Sequence, residues 1–186
     1  MPVREIRFED LEFDKSVQTF CNSPKFKCPN YNHSWACPPE AEYMEEKVSK
    51  YEKFFLIYSK FDLASHVKEI KAKHPKRSEE SIRNKFFLDS YMRDTQEKEI
   101  FQFVEDYDKP YKEILILWDG HCRFCYNKEK KKCTYDSGKP CRYPNKKRYS
   151  MEAVGIHVTN TVKNLNLDIE WPPVNYYYRF GLICIC

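Results

Sequence analysis

Residues 113–150 read EILILWDGHCRFCYNKEKKKCTYDSGKPCRYPNKKRYS, an apolar run that leads directly into a cysteine-rich segment. The run from Glu113 to Trp118 contains no breaker, which is typical of a buried strand. Loops that leave the end of a strand are common positions for functional sites in open α/β sheets. We therefore expect the chemistry of this chain to lie in residues 120–149, called the main cysteine loop below.

The main cysteine loop holds four of the nine cysteines. Two residues separate Cys122 from Cys125, and seven residues precede each of Cys133 and Cys141. A Cys-x-x-Cys pair can turn two thiolates onto one ion, and two more cysteines complete a tetrahedral sulfur set. The spacing thus predicts a metal site, the alternative being free thiols on a solvated loop.

The same stretch is strongly basic. From His121 to Ser150 it contains ten Lys and Arg against two acidic residues, a local charge of +8 in a chain of +4. Such a patch favours an acidic partner or a polyanion, unless it is simply a solvated face. The predicted partner-binding residues are Lys128, Lys130, Lys131, Lys132, Lys146, Lys147 and Arg148.

A second cysteine group lies in residues 18–39, the N-terminal cysteine loop. It contains Cys21, Cys28 and Cys37, and its four prolines rule out a continuous helix. Three thiolates here could bind a metal, with His33 or a distant cysteine as the fourth ligand. The alternative is a loop packed around aromatic side chains with inert thiols.

The remaining pattern predicts one α/β domain over residues 1–186, with a small mixed sheet of three or more strands flanked by helices. Strands are expected at 54–58, 113–118 and 175–186, and an edge strand within 1–13. Helices are expected at 40–52, at 65–107 with a break at His74-Pro75, and at 150–164 with Ser150 as N-cap.

Composition narrows the class of protein. The charged N-terminus has no apolar signal region, and no apolar run is long enough for a membrane span, so we expect a cytoplasmic protein without a membrane partner. Cysteine clusters in that compartment more often bind metal or perform redox chemistry than form disulfides. Four glycines and no glycine-rich phosphate motif argue against classical nucleotide binding.

The spacing alone leaves the metal open. It matches neither the paired Cys-x-x-Cys of zinc ribbons nor the ferredoxin run. Seven clustered cysteines exceed what one structural zinc needs, and a basic loop would offset the negative charge of an all-thiolate cluster. These features favour one 4Fe-4S cluster, or two, with zinc as the alternative cofactor.

Several short motifs together resemble a family of small predicted metal-binding proteins of unknown function from archaea and anaerobic bacteria. The motifs are Cys28-Pro-x-Tyr, Trp35-Ala-Cys37-Pro-Pro, Asp119-Gly-His-Cys122-x-x-Cys125, Lys139-Pro-Cys141-Arg-Tyr-Pro and Ser150-Met-Glu-Ala-x-Gly155-Ile. The resemblance spans residues 18–183 and implies a metal, an iron–sulfur cluster in an anaerobic cytoplasm. It supplies no reaction, and Cys184 and Cys186 lie outside its pattern.

Three hypotheses follow. The leading one is an iron–sulfur protein that transfers electrons to an acidic redox partner or has an accessory role in anaerobic metabolism. In a variant of it, the three thiolates of the N-terminal group leave one iron open to a substrate. The alternative is a zinc-stabilised module that binds nucleic acid or another polyanion through its basic loop.

Overall fold

The computed structural model describes residues 2–24, 26–88 and 92–186. Its strands are β1 (Val3–Ile6), β2 (Asn22–Ser23), β3 (Phe26–Lys27), β4 (Lys53–Asp62), β5 (Ile114–Leu117) and β6 (Tyr176–Ile185). Four of them form one open sheet in the order β1-β4-β6-β5, and β2 and β3 form a separate hairpin. The predicted single α/β domain with a sheet of at least three strands is confirmed.

The strand pairings differ from the mixed sheet that was expected. Within the described residues, all three pairings of the four-stranded sheet are antiparallel. The last strand, β6, returns between β4 and β5 and pairs with both, so it runs against each neighbour. Apolar composition identifies a strand but carries no information on its direction, which only this tertiary placement sets.

Six α-helices lie in the described residues: α1 (Glu45–Val48), α2 (Leu63–Lys73), α3 (Glu79–Leu88), α4 (Arg93–Asp106), α5 (Phe124–Glu129) and α6 (Val158–Asn164). The predicted break at His74-Pro75 is confirmed, because α2 ends at Lys73. The restart is also confirmed, since the Ser78 hydroxyl accepts a hydrogen bond from the Ser81 amide at 3.1 Å. The sequence pattern of 65–107 also predicts an apolar helix face that includes Tyr91, and this residue lies outside the described residues.

Two predicted helices are shorter than expected. The helix predicted at 40–52 is the single turn α1. The helix predicted at 150–164 is interrupted at Gly155, which has φ of +97° and follows a short 3-10 turn at Glu152–Val154. A Cβ at Gly155 would lie 2.4 Å from the Tyr43 ring, so close packing and a left-handed conformation both require glycine there.

The sheet is buried on both faces. Leu56, Leu117 and Leu182 point to one face, where they pack with α6 and the segments around α1. Ile57 and Ile183, their neighbours in sequence, point to the other face. There α4 covers the sheet through the fully buried Ile100. This alternation explains why β4, β5 and β6 read as continuous apolar runs.

The helices of the described residues all fall short of the length and apolar content that a membrane span requires.

Candidate metal site

The main cysteine loop begins and ends at the same point of the sheet. The Trp118 amide donates a hydrogen bond to the Tyr149 carbonyl at 2.7 Å, which closes the base of the loop. The buried Arg93 guanidinium then donates to the carbonyls of Asp119 at 2.7 Å and His121 at 2.6 Å. A side chain from α4 thereby fixes the turn that carries Cys122.

The loop contains more regular structure than its sequence suggested. It includes α5 and two 3-10 turns, Tyr135–Ser137 and Pro144–Lys146. The hydroxyl of Thr134 donates to the Pro140 carbonyl at 2.9 Å, and the Arg142 side chain donates to the Lys132 carbonyl at 2.7 Å. These bonds cross the loop on either side of Cys133 and Cys141, so both cysteines lie on braced backbone.

All four cysteines of the main loop line one cleft of about 760 Å³. The N-terminal cysteine loop supplies part of the wall of this cleft. The residues that it contributes are Pro29, Asn30, His33, Ser34, Trp35 and Ala36. The structure therefore brings the four predicted ligands Cys122, Cys125, Cys133 and Cys141 to a common space, which is half-enclosed by the other cysteine loop.

The charged groups that line the cleft are mainly basic. Among the described residues that line the cleft, the carboxylate is that of Asp136, and the Lys and Arg side chains are those of Arg123, Lys131, Lys132 and Lys147. Burial raises the pKa of the Cys141 thiol, with the neighbouring Cys125 and Cys133 thiols acting in the same direction, while Lys147 and Arg142 oppose them. Positive side chains along the cleft favour the thiolate form of its cysteines over the neutral thiol form.

Cys21 and Cys28 form a pair at the base of the β2–β3 hairpin. The Cys28 amide donates to the Cys21 carbonyl at 2.8 Å, and the Cys21 thiol donates to the Cys28 sulfur. That bond, together with amide donors at Asn30 and Tyr31, lowers the pKa of Cys28. The same bond and burial raise the pKa of Cys21. Backbone N–H groups aimed at sulfur are the surroundings that a metal-bound thiolate uses.

Cys37 connects the N-terminal group to the main loop. Its sulfur accepts a hydrogen bond from the Cys122 amide and another from the Ser34 hydroxyl, although burial dominates and raises its pKa to about 11. The Cys122 sulfur in turn accepts from the amides of Phe124 and Arg148, while burial raises its pKa. Cys122 therefore adjoins both predicted cysteine groups.

Side chains also lock the two loops together. His33 Nδ1 lies 2.8 Å from an Asp136 carboxylate oxygen, and the Trp35 indole N–H donates to the Lys139 carbonyl at 3.1 Å. The Trp35 ring meets the Tyr135 ring edge to face, with centroids 4.9 Å apart. His33, considered from the sequence as a ligand, is thus engaged with a carboxylate at the cleft wall.

The predicted partner-binding residues divide into an exposed and an inward set. The exposed set is Lys128, Lys130, Lys131, Lys132 and Lys146, of which Lys131 and Lys132 line the cleft. Lys147 also lines the cleft and is half-buried. Arg148 faces inward, with its guanidinium 2.7 Å from Glu97 Oε2 and 4.3 Å from the Trp118 ring centre. Its position is that of an anchor for the loop.

Glu97 is an anchor that the sequence did not reveal. It accepts hydrogen bonds from Arg123 at 2.5 Å and Arg148 at 2.7 Å, one from each end of the main loop. The side chains of all three are largely buried. Nothing in the local pattern of α4 distinguishes Glu97 from the exposed acids beside it, so only the tertiary fold could identify it.

Cys184 and Cys186 lie away from both cysteine loops. Cys184 is fully buried on β6 opposite Phe54, and Cys186 hydrogen-bonds to Glu113 at the start of β5. The main loop leaves β5 from its other end, after Leu117. Neither residue is therefore placed to serve as the distant cysteine that could complete the N-terminal group.

The types of donor atom in the two loops fit a thiophilic metal, but the sulfur atoms of the described residues are too far apart to bind an ion as they stand. Seven cysteines lie in two contacting loops, several with N–H donors directed at sulfur, and thiolate is the ligand type of zinc and iron–sulfur sites. Among the described residues, no three His, Cys, Asp or Glu side chains are already arranged to hold an ion. Coordination would therefore require the thiols to draw together across the cleft.

The fold and this site define a small α/β protein with two interlocked cysteine-rich loops. The model of a family described as predicted metal-binding protein (DUF2284) matches residues 4–185, and the chain belongs to that family. This match confirms the resemblance to a family of predicted metal-binding proteins that the cysteine motifs indicated. No curated protein and no solved structure matches the chain.

Proposed function

We propose that this chain is an iron–sulfur protein with a redox role, in which Cys122, Cys125, Cys133 and Cys141 ligate a 4Fe-4S cluster. The observation that carries the proposal is the cleft that these four cysteines share. Among the described residues that line it, four Lys and Arg stand against one Asp. An all-thiolate site is anionic and is stabilised by such surroundings, whether it holds a cluster or a zinc ion. Iron is preferred over zinc because seven clustered cysteines exceed what one structural zinc needs.

Such a cluster would supply one-electron transfer. The protein's own residues set its surroundings: amides of Phe124 and Arg148 donate to the Cys122 sulfur, and hydrogen bonds to sulfur raise the potential of a cluster. The N-terminal cysteine loop supplies part of the cleft wall around the sulfur atoms. Both features belong to the chain and do not depend on the identity of a partner.

The N-terminal group would form a second site. Cys21, Cys28 and Cys37 offer three thiolates, and Cys122 is the cysteine of the main loop that adjoins them. Three protein ligands would leave one position open to a substrate, which is the enzymatic variant of the proposal. Single Ser substitutions of these three cysteines should then lower the iron content and change the electron paramagnetic resonance spectrum of the reduced protein.

An acidic redox protein is the proposed partner. Lys128, Lys130, Lys132 and Lys146 are exposed, and opposite charge on a partner would accelerate the encounter. Changing Lys130 and Lys132 to Glu should slow electron transfer to an acidic acceptor and flatten its salt dependence. The same double change at Lys71 and Lys73 on α2, away from the site, should leave the rate unaltered.

The proposal is tested by purifying the protein without oxygen and measuring iron, acid-labile sulfide and visible absorption. A 4Fe-4S protein contains iron and sulfide in equal amounts and shows broad visible absorption that bleaches on reduction. Zinc in place of iron, with a colourless protein, would contradict it.

The zinc-stabilised polyanion-binding module is the second candidate, and one observation favours it. Tyr126 is 57% exposed on the basic surface, with the Lys130 ammonium 4.9 Å from its ring centre, an arrangement suited to stacking a base beside a phosphate contact. Binding of a single-stranded oligonucleotide that falls steeply with salt and weakens in Tyr126→Ala would support it. Flat or absent binding at low salt would dismiss it.

A further inference from the structure

A second pocket lies outside the cysteine loops, at the start of β6. Its volume is about 410 Å³, within the range of small-molecule sites. One wall is the segment Ile169–Pro173, and the other is formed by side chains of β6 from Tyr176 to Phe180. Trp171, 74% exposed, stands at the rim. An exposed tryptophan beside an aromatic pocket is the feature that a flat or apolar ligand would cover.

The charged groups of this pocket are all acidic. Among the described residues that line it, the ionisable side chains other than tyrosine are Asp119, Glu152 and Glu170. No lysine, arginine or histidine in that part of the chain lines it, although the whole chain has a charge of +4. The local sign is therefore opposite to that of the main cysteine loop.

Two of the three carboxylates are already engaged. Asp119 is paired with Arg179, and Arg93 Nε lies 3.8 Å from it. Glu170 accepts from the amides of Val174 at 2.9 Å and Asn175 at 2.6 Å, which shapes the wall. Glu152 accepts hydrogen bonds from its own backbone amide and from the Ser150 hydroxyl, and among the described residues it has no salt bridge of the kind that pairs Asp119 with Arg179. Glu152 is thus the carboxylate with capacity for a charged ligand.

We propose that this pocket binds a small organic ligand that carries a protonated amine on an apolar or aromatic body. The amine would meet Glu152, and the body would pack between the tyrosines of β6 and Trp171. Aromatic faces attract cations as well as rings, and the structure already has the Lys60 ammonium 3.7 Å from the Tyr176 ring centre, outside the pocket. The site does not depend on the identity of the metal.

The pocket is also electrostatically connected to the cysteine site. Asp119 lies three residues before Cys122. The charge of Glu152 adds to the rise in the pKa of Cys21, whose main causes are its hydrogen bond to Cys28 and burial. A bound ammonium would neutralise Glu152 and so change the field at the N-terminal cysteine group.

The test uses three probes of one shape: benzylamine, benzyl alcohol and benzoate, titrated calorimetrically into the full chain at about pH 8, where Glu152 is ionised. Benzylamine should bind saturably, benzyl alcohol more weakly and benzoate least. Glu152→Gln should weaken benzylamine about tenfold, the value of a lost charge-assisted bond. The control Glu105→Gln, an exposed acid of α4, should bind like the parent.

Three results would overturn the assignment: no saturable binding of benzylamine, binding of benzoate as tight as that of the amine, or unchanged affinity in Glu152→Gln. Trp171→Ala changes the rim of the same pocket and leaves Glu152 in place. It should lower the affinity for benzylamine several-fold. Unchanged affinity in that variant would place the binding elsewhere on the molecule and equally overturn the assignment.

Discussion

The indole N–H of Trp35 donates a hydrogen bond to the backbone carbonyl of Lys139, with 3.1 Å between the two atoms. This bond joins the N-terminal cysteine loop to the main cysteine loop, and the contact of the Trp35 and Tyr135 rings supports it. The two loops therefore behave as one unit, although residues 40–119 separate them in sequence.

Trp35→Phe should loosen this unit without removing the ring. The lost hydrogen bond should reduce the free energy of unfolding by about 1 kcal/mol. Hydrogen exchange of the amides in residues 134–141 should accelerate more than exchange in β4. The matched change Trp171→Phe, at a side chain that is 74% exposed, should alter neither quantity.

Glu97→Gln should destabilise the main cysteine loop from both ends. Arg123 and Arg148 would each lose a charged acceptor while remaining largely buried, at a cost on the order of 2 kcal/mol. Urea denaturation measures the loss. Glu105→Gln, an exposed acid on the same helix, is the control, and equal stability of the two variants would contradict the anchoring role of Glu97.

The stability of the protein should fall as pH rises from about 4.5 to about 7 through Glu152. Burial, aided by the nearby Asp119 charge, raises the pKa of Glu152 to about 7 from its usual 4.5. In this window the unfolded chain has released the proton that the folded chain still holds, so ionisation favours unfolding. Below the window both states are protonated, and above it the cost is constant.

Comparison of the parent with Glu152→Gln isolates this effect from that of other titrating groups. The difference in the free energy of unfolding between the two proteins should change by about 3 kcal/mol across the window, with the variant gaining stability relative to the parent as pH rises. A difference independent of pH would show that Glu152 is not enclosed as the structure describes.

Removal of metal should release the main cysteine loop while the sheet remains. The loop has few aliphatic side chains, and ordering its backbone costs about 1–2 kcal/mol per residue, so metal–thiolate bonds are expected to contribute to its order. With chelator, trypsin should cut first at Lys128–Lys132, and circular dichroism should change little. Equal resistance to trypsin with and without chelator would show that contacts between the two cysteine loops hold the main loop without metal.

The strands could be predicted because their signal is local. Phe54 to Tyr58 and Ile114 to Trp118 are apolar on both faces, as central strands must be when helices and loops cover the sheet. The break after Gly155 could not be predicted, because it depends on the Tyr43 ring, which approaches from a distant part of the chain. The direction of each strand could not be predicted either, because it depends on the placement of β6 between β4 and β5.

Spacing was enough to select the cysteines of the candidate site, but it did not reveal the contacts that support them. His33 and Asp136, or Trp35 and Lys139, meet only after the two loops fold against each other. Counting charges made Arg148 a surface residue, whereas Glu97 and the Trp118 ring draw it inward. Composition reports how many charges a segment has and does not report where tertiary partners direct them.

The most direct test of the account is the metal content of the anaerobically purified protein and two variants, Cys125→Ser and Cys186→Ser. Cys125 lines the cleft, whereas Cys186 lies at the opposite end of β5. We expect iron and acid-labile sulfide in the parent, retention of both in Cys186→Ser, and loss of most of both in Cys125→Ser. Equal iron in all three proteins, or no iron in the parent, would contradict the assignment of the main cysteine loop as an iron–sulfur site.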